Sequence, residues 1–392
     1  MSPAATDLAD PRPARRATRG RVRAGGGWER LGEDLRVVLP SWLSARIFVA
    51  LAYILAIAVA EHWVPGGRTV PMQQGLLAWD GAFYHDIAQH GYLNLPHEAL
   101  RFFPLYPLLG RALTPFALGD ASIALVALAN ACSLAAAVVT RRLVLFEKQD
   151  PVLAERAVWL TALFPSAFVL VWAYAEALFL LCALATFLFA RKGRYELAAV
   201  VALLAALCRP VGVLLALPLA IEGLRTWRRA GRHEQVSRVI AVVAPVAGLG
   251  LYLGWVGRRF GDPLLPFTVQ DELRGSADPI TRLLRGIGDV VGVERFGDGL
   301  HVPFAIAFVV LAVVTARHWP ASYTAFAAAV LVAAVSAQNL NSVERYALNA
   351  FPLLLTLAVL LRPGRLERLG LAVCGSGLVA LAALAWLAVY VP

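Results

Sequence analysis

Long apolar stretches separated by brief polar punctuation organise this 392-residue chain. Apolar runs lie near 42–61, 121–140, 155–171, 175–190, 196–208, 211–224, 238–257, 302–316, 321–337, 345–361 and 369–391. A helix rises about 1.5 Å per residue, so runs near twenty residues match the roughly 30 Å hydrocarbon layer of a bilayer. The pattern predicts an all-α polytopic membrane protein with about eleven transmembrane helices. The runs at 196–208 and 211–224, parted by Arg209-Pro210, are short for full spans. They read as two short or broken helices meeting at the outer surface. The stretch 104–118, carrying Pro104, Pro107 and Pro115, reads as interfacial or re-entrant.

Composition removes the soluble alternatives. The chain is 59% hydrophobic and 16% charged, against roughly 45–50% and 25% in ordinary soluble domains. A mean hydropathy of +0.66 excludes a soluble enzyme, a disordered chain and a coiled coil. The net charge of +10 invites a nucleic-acid reading, but its distribution argues for membrane topology and no nucleic acid. Residues 1–36 read as a disordered basic cytoplasmic arm, and 37–392 as a single transmembrane domain. Short basic clusters at Arg141-Arg142, Arg191-Lys192-Gly193-Arg194, 225–238, Arg317 and 362–368 then fall on the same side as that arm. The segments at 62–120, 171–176, 208–211, 258–301 and 338–345 fall outside, the first and fourth being large outer loops. No internal repeat and no polar residue at mid-span is legible, which argues against a pump or flippase. The four cysteines (Cys132, Cys182, Cys208, Cys374) sit in apolar runs without metal-type spacing, so neither disulfide nor cysteine-bound metal is expected.

The unusual polar residues gather on the outer side. Trp79-Asp80-Gly81-Ala82-Phe83-Tyr84-His85-Asp86 opens a short amphipathic helix in the first outer loop, with Phe83, Ile87 and Gly91 on one face. Asp80 begins it and is either an N-cap or a functional carboxylate. His85 and His90 lack zinc-type spacing and read as interface residues. Arg101-Phe102-Phe103-Pro104 is either an interfacial anchor or an aromatic path with an arginine for phosphate. Glu176, close behind Tyr174, enters the start of a span, and Arg209 interrupts an apolar stretch. Each is costly unless paired, and the two either pair only with each other or serve chemistry.

Six motifs then occur in order between residues 79 and 352: WD-x₃-Y-x₂-IA-x₂-GY, FFPLYPLL, FPSAF-x₅-YAEALFL, CRPVG, FGDPLLPF and SVERYALNAFP. Together they resemble the PIG-V-type mannosyltransferases, the family of GPI mannosyltransferase 2. The resemblance implies a GT-C glycosyltransferase fold and transfer of mannose from a polyprenyl-phosphate donor at the non-cytoplasmic face. The Arg-rich, compact chain looks more like a bacterial, actinobacterial member, with a glycolipid or glycan of the cell envelope as acceptor. On this resemblance Asp80 is the general base, worth about 10²–10⁴ in rate. Arg345, then Arg209, with Arg101, would hold the donor phosphate. Trp79, Tyr84, His85, Asp86, Tyr174, Glu176, Asp262, Glu344 and Tyr346 complete the expected substrate site, Asp262 chiefly by ordering the large outer loop. No cofactor is expected to be tightly bound, and divalent-metal dependence stays open. The competing readings are a GT-C enzyme using polyprenyl-phosphate arabinose or glucose and, from another class, a lipid-linked-sugar flippase.

Overall fold

The computed structural model describes residues 27–63, 67–225, 227–274, 301–336 and 342–392. The described chain is helical throughout. Helix α1 covers Gly27–Trp63, α2 Val70–Gln74, α3 Asp80–His90, α4 Leu105–Leu113, α5 Ala121–Lys148 and α6 Pro151–Leu163. Then follow α7 Glu176–Arg191, α8 Tyr195–Cys208, α9 Ala216–Arg225, α10 Arg232–Phe260 and α11 Leu265–Arg274. The last are α12 Val302–His318, α13 Ala321–Val335, α14 Val343–Asn349, α15 Pro352–Leu360 and α16 Arg365–Trp386.

Four described helices are long and apolar enough to cross a bilayer alone: α1, α5, α10 and α16. The pair α14–α15, bent by 89°, is long and apolar enough only when its two helices are counted together. Their apolar side chains do not all point inward. Ile47, Leu51 and Ile54 on α1, and Val239, Val243 and Val246 on α10, share helical faces and stay exposed. Such stripes on long apolar helices suit lipid as the surrounding solvent. The chain is an all-α membrane protein.

Several sequence expectations change on folding. Residues 27–36 are helical, not part of a disordered arm, because α1 begins at Gly27. Asp34 holds Arg142 Nε at 2.6 Å and also pairs with Arg141, while Val38 packs on Val138 and Val158. Residues 1–26 lie outside the described part. The apolar run 155–171 is not one helix: Pro165 lacks an N–H and drives Phe164 out of helical backbone, so α6 stops at Leu163. A buried 3-10 turn over Ala167–Leu170 follows. The run 345–361 is likewise broken, ahead of Pro352. The helices on either side of Arg209-Pro210 are separate, as expected.

Polar residues also occur within the spans, contrary to the sequence reading. Arg46 of α1 donates to Asn130 Oδ1 at 2.9 Å and Trp42 O at 3.0 Å, and reaches Ser133. These neutral acceptors supply the hydrogen bonds a guanidinium needs at a helix contact in lipid.

Close packing aligns the helices that carry the polar motifs. A Cβ on Gly248 of α10 would fall 2.5 Å from Leu203 O, so α8 and α10 touch backbone to side. A Cβ on Gly212 would fall 2.5 Å from the Ala205 carbonyl, which folds the chain after Arg209 back onto α8. At the far end of the bundle Arg191 binds Glu147 at 2.6 Å and Glu222 at 2.8 Å, joining α5, α7 and α9. Glu222 also accepts from Ser322 Oγ of α13 at 2.6 Å.

Candidate functional site

Two uncommon backbone positions deliver the polar residues. Trp79 and Ser342 both have positive φ, 58° and 70°, and stand just before α3 and α14. Such non-glycine conformations cost on the order of 1–3 kcal/mol and persist only where surroundings enforce them. At Trp79 the enforcement is visible: its indole Nε1 donates to Ala385 O at 2.9 Å. The cap position of α3 is therefore Trp79, and Asp80 is the first helical residue. Helix α3 packs into the protein on one side. It buries Gly81, Tyr84, Ile87 and Ala88, with Phe83 stacked on Phe102 at 4.7 Å. The buried face is rotated from the expected one of Phe83, Ile87 and Gly91, because α3 packs on α4 and against Ala173.

From α3 and α14 an alternating chain of charges runs inward. Arg345 Nη1 donates to Asp80 Oδ2 at 2.5 Å. Arg345 Nε lies 3.3 Å from Glu176 Oε1, and the same oxygen accepts from Arg209 Nη1. Glu176 is wholly buried, Arg345 is 3% exposed and Arg209 9%. Tyr174 lies against this chain: its hydroxyl accepts from Asp80 N at 3.3 Å, and the Arg345 guanidinium carbon is 5.6 Å from its ring centroid. Buried charges of this kind need partners, and here each carboxylate touches a guanidinium.

The chain ends on a cavity of about 130 Å³. Asp80, Tyr84, Arg101, Arg209, Arg345 and Tyr346 contribute its polar wall, and Phe102, Phe103 and Phe267 its aromatic wall. Glu176 does not line the cavity. The Nε groups of Arg101 and Arg209 are buried without a hydrogen-bond acceptor, and Arg345 Nε lies against Glu176 rather than the cavity. The guanidiniums in the wall favour an anionic guest. Three guanidiniums against two carboxylates leave a positive balance there. Burial pushes the Tyr84 phenol well above its ordinary range and keeps it a proton donor.

The sequence reading therefore brought together residues that meet, with exceptions. Asp80, Tyr84, Arg101, Arg209, Arg345 and Tyr346 line one cavity; Tyr174 and Glu176 stand behind it. Trp79 anchors α3 to the C-terminal end of α16 instead of lining it. His85 and Asp86 pair with each other at 3.4 Å and do not line the cavity. Asp262 is exposed and accepts from Leu264 N at 2.8 Å, a local turn that starts α11. Glu344 points the opposite way from Arg345, binding His301 Nδ1 at 2.8 Å and Tyr390 OH at 3.1 Å.

Gln270 and His301 were missed. Gln270 reaches the cavity from α11, one turn beyond Phe267, so helical spacing from the FGDPLLPF motif could have found it. His301 carries no local signal because its partner Glu344 is distant in sequence. The remainder of the large outer loop, 275–300, and residues 337–341 lie outside the described residues. Among the described residues no three His, Cys, Asp or Glu side chains are grouped to hold a metal ion.

Fold and site together define an all-α membrane protein with an arginine-walled cavity holding a paired carboxylate. Comparison with family models, curated proteins and solved structures finds no match for the chain.

Proposed function

We propose that this protein is a membrane mannosyltransferase of GT-C type, with about eleven crossings and its site on the non-cytoplasmic face. It takes mannose from a polyprenyl-phosphate donor and passes it to a glycolipid or glycan acceptor. One observation carries the reading: Asp80 shares a small cavity with three arginines, Arg101, Arg209 and Arg345. A carboxylate base and a cationic cradle are the two parts that transfer from a lipid phosphate requires. The order of the motifs, from Trp79 to the Ser342–Phe351 stretch, supports the same reading.

In this mechanism the acceptor hydroxyl attacks the anomeric carbon in line while the bond to the phosphate oxygen breaks. Asp80 takes the hydroxyl proton, and Arg345 and Arg209 stabilise the charge that grows on the leaving polyprenyl phosphate. Arg101, stacked at 4.8 Å from the Phe102 ring centroid, holds the phosphate from the other wall. The aromatic wall continues through Phe103 to Tyr252, 4.6 Å apart, toward the lipid-facing helix α10, a suitable surface for an isoprenoid chain.

The test is transfer of radiolabelled mannose from polyprenyl-phosphate mannose to extracted lipids by purified protein. Asp80→Asn is expected to lower turnover by about two to four powers of ten. The variant should stay folded with a modest fall in melting temperature, because Arg345 loses one charged partner but keeps Glu176. Substantial transfer by folded Asp80→Asn protein moves the base elsewhere. Transfer of glucose or arabinose but not mannose selects another polyprenyl-phosphate sugar as donor.

A further inference from the structure

The opposite end of the bundle holds a second concavity that the proposed chemistry does not use. Helix α7 carries Glu176 in its first turn and Arg191 in its last, so about 22 Å of helix separates the two. Beside Arg191 a groove of about 650 Å³ opens between α9 and the start of α13. Small-molecule sites span roughly 300–1,000 Å³. Ile221, Leu224, Pro320 and Ala321 give the groove apolar walls, and Arg225 stands at its rim.

The charges around the groove are unequally matched. Glu222 is committed to buried partners, Arg191 Nη1 at 2.8 Å on one oxygen and Ser322 Oγ at 2.6 Å on the other. Arg225 reaches that carboxylate only at 3.9 Å, and 61% of its side chain is exposed. The next acid along the chain is Glu234, which binds Arg238 at 2.5 Å. Arg225, Arg228, Arg229 and Arg232 lie between Glu222 and Glu234, all of them exposed. On the other rim Lys148 sits 4.8 Å over the ring of Trp319, the neighbour of Pro320. Away from this cationic rim the surface turns apolar. Leu217, Ile221 and Leu224 recur at i, i+4 and i+7 on one face of α9, and Leu217 and Leu224 are exposed.

We propose that this groove binds an anionic diacyl phospholipid, with its phosphate on Arg225 and an acyl chain along the Leu217–Leu224 face. A cationic rim at the end of an apolar track suits an anionic amphiphile. A free phosphate gains nothing from the track, and a neutral lipid gains nothing from the arginines. Basic pockets between membrane helices are where anionic head groups bind. The bound lipid bridges α9 and α13, and its site is independent of sugar transfer.

The probe is dioleoyl phosphatidylglycerol, titrated into the purified full chain in neutral detergent, with bound lipid read by native mass spectrometry. Dioleoyl phosphatidylcholine and glycerol 3-phosphate are the controls. Phosphatidylglycerol is expected to bind at least about fivefold more tightly than phosphatidylcholine, the effect of one arginine on an anionic head group. Arg225→Gln should remove about that factor and leave phosphatidylcholine unchanged. Ala321→Trp fills the groove while keeping every charge. It should weaken phosphatidylglycerol about tenfold, equivalent to roughly two methylene groups of apolar contact. Should that variant fail to fold, Ala321→Leu is the milder filler. Arg258→Gln, exposed at the other end of α10, should change affinity less than about twofold.

Equal binding of the two lipids overturns the proposal. So does a loss on Arg225→Gln with none on the filler, which marks adsorption to a cationic surface. Glycerol 3-phosphate binding as tightly as the lipid makes the groove a free-phosphate site. A changed oligomeric state in Ala321→Trp, with lipid binding intact, makes it a contact between copies. Either of these outcomes also refutes the lipid site.

Discussion

Glu176 is the most informative single position for testing the charge chain. It is wholly buried and its Oε1 serves both Arg209 and Arg345. Glu176→Gln removes the charge while keeping shape and one acceptor oxygen. Breaking a buried ion pair by removing one partner costs about 3–5 kcal/mol, since the other charge is left uncompensated. The retained amide oxygen gives back one hydrogen bond of about 1 kcal/mol, and Arg345 still holds Asp80. The expected net loss is about 2–4 kcal/mol. Unfolding entropy near 2.1 cal/mol/K per residue, applied to this length, converts that loss to a fall of roughly 2–5 °C in melting temperature. The assay is thermal unfolding in detergent, followed by size-exclusion of the soluble fraction. Arg209→Gln should cost a similar amount, and the double variant should cost clearly less than the two together. A melting temperature for Glu176→Gln within 1 °C of wild type, or additive single effects, would refute the pairing that underlies the site.

Gly212→Ala should destabilise by about 1–3 kcal/mol or more and lower activity with it, measured by the same melt and by mannose transfer. Its Cβ would meet the backbone of Ala205 and Ala206 at 2.5 Å, and backbone cannot step aside. Asp120 caps α5 through Ser122 N at 2.6 Å, and the hydrogen bonds from Ser122 hold its carboxyl below the usual carboxylate range. Its contribution is therefore complete above the unfolded value near 3.9 and is lost as pH falls through the lower folded value. Asp120→Ala should melt below wild type at pH 7, with the gap closing in acid; a gap independent of pH contradicts the cap. For topology, a single cysteine at exposed Asn94 should react with an impermeant reagent in intact cells, and one at Arg194 only after permeabilisation. The native thiols are buried and should stay silent. The reverse pattern overturns the orientation.

Hydrophobic patterning alone determined that this chain lives in a bilayer, because no soluble core can absorb runs of such length and number. It also located the breaks at Arg209-Pro210, where proline and a charge interrupt an apolar run, and it marked the polar residues near the membrane boundary as costly. Those signals are local and energetic, so one sequence suffices to read them. Tertiary structure decided what the signals meant. Whether Asp80 caps a helix or meets an arginine depends on α14, 265 residues away. That choice turns on Trp79 at positive φ, held by the hydrogen bond its indole donates to α16. Glu344 and Arg345 are neighbours in sequence, yet the helical turn sends one to His301 and Tyr390 and the other to the cavity. The rotation of α3, the helix over 27–36 and the half-buried Arg46 were hidden for the same reason. Each is fixed by contacts across the bundle, such as Asp34 with Arg141 and Arg46 with Asn130, whose energies no stretch of local sequence contains.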